Sequence, residues 1–541
     1  INLSNNGGTS NTVFGYQAGN LIASGDNYNV FIGHQVADAD MTNATQNVGI
    51  GYQSLSGLTT GDSNTAVGSG SLYSLNTGNY NVAMGHLAGD AITSAQYSVA
   101  IGYGSLGAEV TRGTSVAIGY EALALQTEGS DGANSENVGI GFQAGLRNVT
   151  GTANTSVGFE AMKGASGQSN SNNVAIGKKA LLVIETGSDN VAVGSEAGYS
   201  ITTGHTNVFI GSAVGNATTI NNSIGIGNDA MGAVPSGQAV EHAIAIGVDA
   251  MKGSGSTTDG INGNIAIGSS AGFLLTTGGN NTLIGYATAD ELLTGSNNTT
   301  LGRHSLGNAD GDEDDNTCIG YNSGASIDNG NDNTIIGSGA NIGGAGTGEN
   351  QAVIGKGATG QADNSVTLGN ADVTAVYMAQ DSGATVHTAG IQFPASQVAN
   401  GGANVLDDYE EGDHTATIVG STSGNYVVNS TNDILRYTKI GRLVNIQGLL
   451  LIDSDNSASG TLRISLPFTI GDGTGLGGRS YGSGYLDSHG GTIAGQVNTK
   501  LVEGDAYFIL VEVADNGTPT DVNDSQVDGA FNIGVNFSYT V

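Results

Sequence analysis

The chain has 541 residues, including 91 glycines, four prolines and no tryptophan, and its 48 acidic against 14 basic side chains give a formal net charge of −34. Neutralising phosphates or docking on an anionic membrane surface needs Lys and Arg, so nucleic acid is excluded as an expected partner and so is electrostatic membrane docking. No run of 18 apolar residues occurs, so no helical membrane insertion is expected.

Between Asn11 and Gly369 a five-residue phrase, Asn-Val-Ala-Ile-Gly with small variations, recurs twenty-one times, usually 17 or 18 residues apart. It reads plainly at Asn81–Gly85, Asn173–Gly177, Asn190–Gly194 and Asn281–Gly285. A period of this length and persistence predicts a parallel β-solenoid, or β-roll, over residues 1–370. The residue before the glycine is always apolar, and two residues further back stands Val, Ile or Thr in every copy except Ala352. Spaced by two, these columns share one face of a short strand, which the coils above and below are expected to bury. The residue between them is often small (Ala66, Ala117, Gly139), although Phe31, Phe209 and Leu283 break the rule. The opposite face must therefore be closely approached.

Asn opens the phrase in fifteen copies and Ser in four more, which suggests a side-chain ladder from coil to coil. The glycine suits a corner of positive φ. Three residues beyond it Ala or Ser dominates, followed by Leu, Met or Gly (Leu72, Leu123, Met162, Met251, Gly272), which predicts a second short strand or turn. This second apolar stripe is expected to join parallel copies of the chain around a threefold axis; alternatively it is the far wall of each coil's own core. The single cysteine, Cys318, sits mid-phrase and is expected to be a packed free thiol.

The segment Asp310–Asn316 carries carboxylates at alternate positions, Asp310, Asp312 and Asp314, the spacing of oxygen ligands for Ca²⁺. It lacks the sixth-place glycine and the distant glutamate of an EF-hand, and a solvated acidic loop is the competing reading. No other cofactor is expected.

The phrase stops near Gly369, and 371–405 reads as a neck. From Leu406 onward strands are expected at His414–Val419, Ile434–Ile440, Leu443–Ile452, Gly460–Leu466, Tyr507–Val513 and Phe531–Val541, a pattern that predicts a β-sandwich or jelly-roll domain over 406–541. Within it the glycine-rich segment Gly477–Gly491 places Arg479, Tyr481, Tyr485, Asp487 and His489 in what reads as a loop, the best candidate for receptor contact. Asp453 with Asp455, or Asp407 with Glu410, would be the carboxylate pairs of a glycan depolymerase. Nothing in the sequence positions them, so no catalytic residue and no enzyme are expected.

The repeated phrase resembles the head repeats of trimeric autotransporter adhesins, which form left-handed parallel β-rolls in threefold trimers. Its longer form, as in Asn47–Leu55, looks more like repeats in tail fibres of marine bacteriophages. Leu406–Gly412, Arg436–Gly441 and Leu443–Gly448 are similar to a C-terminal domain common in such fibres, although His414-Thr415-Ala416-Thr417 stands where Trp-Thr-Pro-Thr is usual. The resemblance implies an extracellular virion fibre, a homotrimer that meets other tail proteins and a host cell-surface glycan or protein. A bacterial cell-surface trimeric adhesin is the alternative. Such an adhesin would continue into a heptad stalk and a membrane anchor, which do not appear before Val541, so the viral reading is preferred.

Overall fold

The computed structural model describes residues 7–127, 134–165, 169–233, 239–253, 261–344, 346–377, 409–471, 479–487, 493, 495–502, 504–513, 518–527 and 529–541. The chain divides into two compact units, Ile1–Gln380 and Asp381–Val541. Among the described residues the only helical element is the 3₁₀ turn Asp524–Gln526, and no helix is long and apolar enough to cross a membrane.

The first unit is a parallel β-solenoid. Its three-residue strands, from Thr12–Phe14 to Val366–Leu368, join into one 21-stranded sheet. Each strand pairs with its counterpart in the next coil, as Val82, Ala83 and Met84 do with Val99, Ala100 and Ile101. At ~4.8 Å per strand the stack is on the order of 100 Å long.

The inside and the outside of the coil are reversed relative to the expectation. Ala83 is fully buried, whereas Val82 is half-buried and Met84 is 46% exposed. The same buried centre flanked by more exposed residues recurs at Thr65–Val67, Val116–Ile118 and Val174–Ile176. The physical reason is width. A coil of about 17 residues leaves an interior that a small side chain from the strand and one long side chain from the far wall already fill. The long side chains come from the second stripe: Leu72, Leu123, Met162 and Met251 are all buried to within about 1%. That stripe is therefore the far wall of each coil's own core and not a contact between chains.

It is a turn, with Leu72, Leu123, Met162 and Met251 held at φ +47°, +51°, +50° and +45°, the left-handed region that Gly272 occupies at +58°. This explains why Leu, Met and Gly alternate in one column: the backbone asks for glycine and the core asks for bulk. Bulk is also balanced between coils. Phe209 fills the interior against Gly198, Gly215 and Gly225, where added Cβ atoms would stand 3.3, 2.3 and 3.2 Å from its ring.

The asparagine ladder is present. Asn190 Nδ2 donates to Asn173 Oδ1 (3.0 Å) and to Gly204 O (2.9 Å), while Asn190 Oδ1 accepts from Asn207 N (3.2 Å) and Asn207 Nδ2 (2.9 Å). At the corner Gly194 has φ +138°, and a Cβ there would lie 2.0 Å from the Gly211 oxygen, so glycine stacks on glycine. Where Ser98 and Ser115 replace the ladder asparagine, a buried polar patch takes over. Gln126 Nε2 donates to Glu109 Oε2 (3.0 Å) and Ser115 Oγ (3.2 Å), and Asn137 Nδ2 donates to Gln126 Oε1 (3.0 Å).

The second unit is antiparallel. Its strands form one hydrogen-bonded path in the order Tyr409–Thr415, Ile434–Ile440, Leu443–Ser454, Phe531–Thr540, Arg479–Asp487, Gln496–Val502, Tyr507–Val513, Leu462–Ser465 and Ile418–Gly420. The sheet curls as a half-barrel around an apolar face that includes Leu435, Val444, Ile446, Phe508, Ile533 and Phe537. Ile434–Ile440 and Tyr507–Val513 coincide with the expected strands. Arg479–Asp487 and Gln496–Val502 are strands that the sequence reading did not contain.

Candidate functional site

Three places combine exposure with chemistry. The first is the outer strand face of the solenoid, where the Val and Ile columns stand half-exposed; Ile176 and Ile210 are 40% and 41% accessible. Beside them runs an aromatic column that sequence reasoning missed, built in some of the coils from the residue after the corner glycine. His86, Tyr103, Tyr120, Phe142 and Phe159 stack with centroids 5.5, 5.1, 5.2 and 5.2 Å apart and planes within 10°. Further along, Arg303 lies over Tyr286 (5.5 Å) and Tyr321 (5.9 Å). The signal was in the sequence, but each ring is a single residue about 17 positions from the next, which shows only when coils are aligned.

The second place is the acidic loop. Ligand atoms of Asp310, Glu313 and Asp328 lie within 4.8 Å of one another. Of the three expected ligands only Asp310 belongs to this group. Asp312 is exposed, and Asp314 Oδ1 accepts from the Ser296 backbone N–H of the preceding coil (2.6 Å). Glu313 is fully buried and accepts from Gly311 N (3.1 Å) and Asn329 N (3.0 Å), so its carboxylate pins two loops together. The set is one of hard oxygen donors that suit a divalent cation, but the backbone already employs its buried member. Cys318 is buried and free, and burial pushes its thiol up to about 12, so it is not a nucleophile at neutral pH.

The third place is the exposed face of the C-terminal sheet. Tyr485 and Asp487 lie on the strand Arg479–Asp487 and not in a loop. Tyr485 is 57% exposed, and its ring rests over Gly534, where a Cβ would meet Tyr485 Cδ1 at 3.5 Å. The neighbouring Asp487 carboxylate raises the tyrosine pKa above its ordinary value. His489 lies outside the described residues, as do the side chains of Arg479 and Tyr481.

Across this face a row of polar side chains runs in register over six strands: Asp413 opposite Arg436, Arg436 opposite Gln447, Gln447 opposite Asn536, Asn536 opposite Ser483, and Ser483 opposite Asn498. Arg436 Nε is 3.6 Å from Asp413 Oδ1, with both side chains largely in solvent. Depressions of about 420 and 430 Å³ flank the row and share Arg436 and Gln447. A third, of about 390 Å³, is lined by Tyr485 and Asn498. As for the carboxylates imagined for hydrolysis, Asp453 accepts from the Asn429 amide (3.2 Å) and Glu410 from the Tyr437 hydroxyl (2.5 Å). Asp407 is outside the described residues.

These features define a β-solenoid repeat protein with an antiparallel C-terminal unit, a fold compatible with a fibre or adhesin-like structural role. No family model matches the chain, and no relative is found among curated proteins.

Proposed function

We propose that the protein is a structural fibre subunit, a homotrimeric shaft that holds out its C-terminal unit for attachment to a host cell surface. The observation that carries this reading is the outer strand face. Two columns, one apolar throughout and the other mainly Val, Ile or Thr, each about 3.3 Å wide along the strand and on the order of 100 Å long, make a strip of roughly 700 Å². The largest apolar patch on an ordinary monomer is about 300–600 Å². A long, largely apolar strip of Val, Ile and Thr, with aromatic rings along part of its border, is what a seam between copies requires. The seam thus runs along the strand face and not along the Leu and Met stripe, which the coil itself consumes. Threefold closure is taken from the resemblance to trimeric β-roll repeats. The same resemblance, through tail-fibre repeats, supports a virion as the location, with other tail proteins as neighbours. No catalytic role and no cofactor are part of the proposal.

Light scattering on the full chain should give the mass of three 53.8 kDa protomers, and negative stain should show rods of one width. Replacing Ile176 and Ile210 by Asp on the strip should lower the mass toward one chain while leaving the coil interior intact. A monomer at micromolar concentration would overturn the shaft reading. Antibody labelling of purified virions would test the location separately.

A further inference from the structure

We infer that the exposed face of the C-terminal sheet is a binding track for a neutral, hydroxyl-rich glycan chain, laid across the strands along the row from Asp413 to Asn498. The first ground is chemical. Gln447, Asn536 and Asn498 each present both donors and an acceptor, as do hydroxyl groups, so each pairs with a sugar hydroxyl in either sense. Arg436 and Asp413 add a donor fork and an acceptor pair, and their opposite charges leave the row without net charge. An anionic chain would need a surplus of cations, and the protein as a whole carries −34.

The second ground is the composition of the strands. Solvated strand faces favour Thr and other β-branched or aromatic residues, and asparagine is depleted in them. Here Asn445, Asn498 and Asn536 stand in strand interiors with their side chains on the open face or half-exposed. Residues that break a local preference on an exposed surface mark a site where something other than folding has chosen them.

The third ground is shape. Strands ~4.8 Å apart set the six side chains along roughly 25 Å, a length suited to several sugar rings in succession. The flanking depressions give the row relief on either side. At one end Tyr485, backed by Gly534, offers an exposed ring against which the apolar face of a sugar can lie. Such a track gives the attachment role proposed above a chemical target, and it depends on that role.

Native electrophoresis of the full chain through gels cast with neutral polysaccharides (dextran, starch, laminarin, mannan and galactomannan) and with anionic ones (alginate and dextran sulfate) tests it. At least one neutral gel should retard the protein. The exposed double substitution Gln447→Ala with Asn536→Ala should weaken that retardation by about tenfold or more while the thermal unfolding transition stays in place. Tyr485→Ala should weaken it as well. Retardation by none of the neutral gels, retardation by the anionic gels alone, or variants that bind like the parent would each overturn the track. Light scattering on the same samples separates the two proposals: a trimer that ignores every neutral gel leaves the shaft standing, and a monomer that is retarded removes the shaft and keeps the track.

Discussion

Removing one rung of the ladder should open the solenoid locally. In Asn190→Ala the main chain keeps its own bond from Asn190 N to Asn173 Oδ1 (3.0 Å), so the coil still starts correctly. The side-chain bonds to Gly204 O and from Asn207 N disappear, and both ladder residues Asn190 and Asn207 are fully buried. Two main-chain groups lose these partners where water does not reach. At ~1–3 kcal/mol for each unsatisfied buried group, the substitution should cost about 4 kcal/mol. In a stack where each coil touches only its neighbours, that loss stays near coils 190–211 instead of spreading. Hydrogen–deuterium exchange read by mass spectrometry on the full chain should show protection there falling by about a thousandfold, since ~1.4 kcal/mol is a factor of ten. Peptides around Asn298 should keep their parental rates. Asn190→Asp, which keeps the shape but turns a carboxylate oxygen, an acceptor, toward the two acceptors Asn173 Oδ1 and Gly204 O, should be at least as damaging. Protection within threefold of the parent in either variant would refute the ladder as a source of stability.

Other consequences are equally concrete. Phe209→Ala empties a space walled by three glycines that cannot fill it, so calorimetry should report a loss of about 3–5 kcal/mol, while Phe209→Leu should cost much less because Leu283 occupies the equivalent place. Cys318 should ignore a thiol reagent at pH 8 and react once per chain in guanidinium. Its thiol rises from 9.0 when unfolded to about 12 when folded, so the stability held by the neutral thiol is complete below pH 9 and drains away between 9 and 12. His414 shifts the other way: burial lowers its pKa below 6.5, with Nε2 2.9 Å from Ser465 Oγ. Its contribution is therefore present above pH 6.5 and lost on acidification, and His414→Gln should flatten the fall in melting temperature of the C-terminal unit toward pH 5.

The repeat made the solenoid legible, including the pairing of strands, because a five-residue phrase carries both its strand and its corner. What the phrase did not carry was sidedness. A period of two says that Val82 and Met84 share a face, and it does not say whether that face looks inward. Their apolarity argued for the core, and coil width decided against it. Phe209 and Gly225 show the decision at work, since the largest central residue is admitted where the next coil has no side chain at that level.

In the C-terminal unit Ile434–Ile440 was readable from its β-branched and aromatic residues. Arg479–Asp487 was not, because Ser480, Gly482, Ser483 and Gly484 read as loop until the neighbouring strands supply the pairing. The polar row was invisible for a related reason. Its six members come from six segments, and only the register of the sheet sets them side by side.

The bonds between coils run along the solenoid axis, and this makes the unit a mechanical element with a defined response. Tension applied from end to end loads the coils in series, so a single chain should give way one coil at a time instead of all at once. A released coil of about 17 residues can extend to roughly 55–60 Å, so a pulled molecule should lengthen in near-equal steps of that order. The shaft would then dissipate load by yielding coils and re-forming them, with the interruption at Glu109 and Gln126 marking a place where the size of the step force changes.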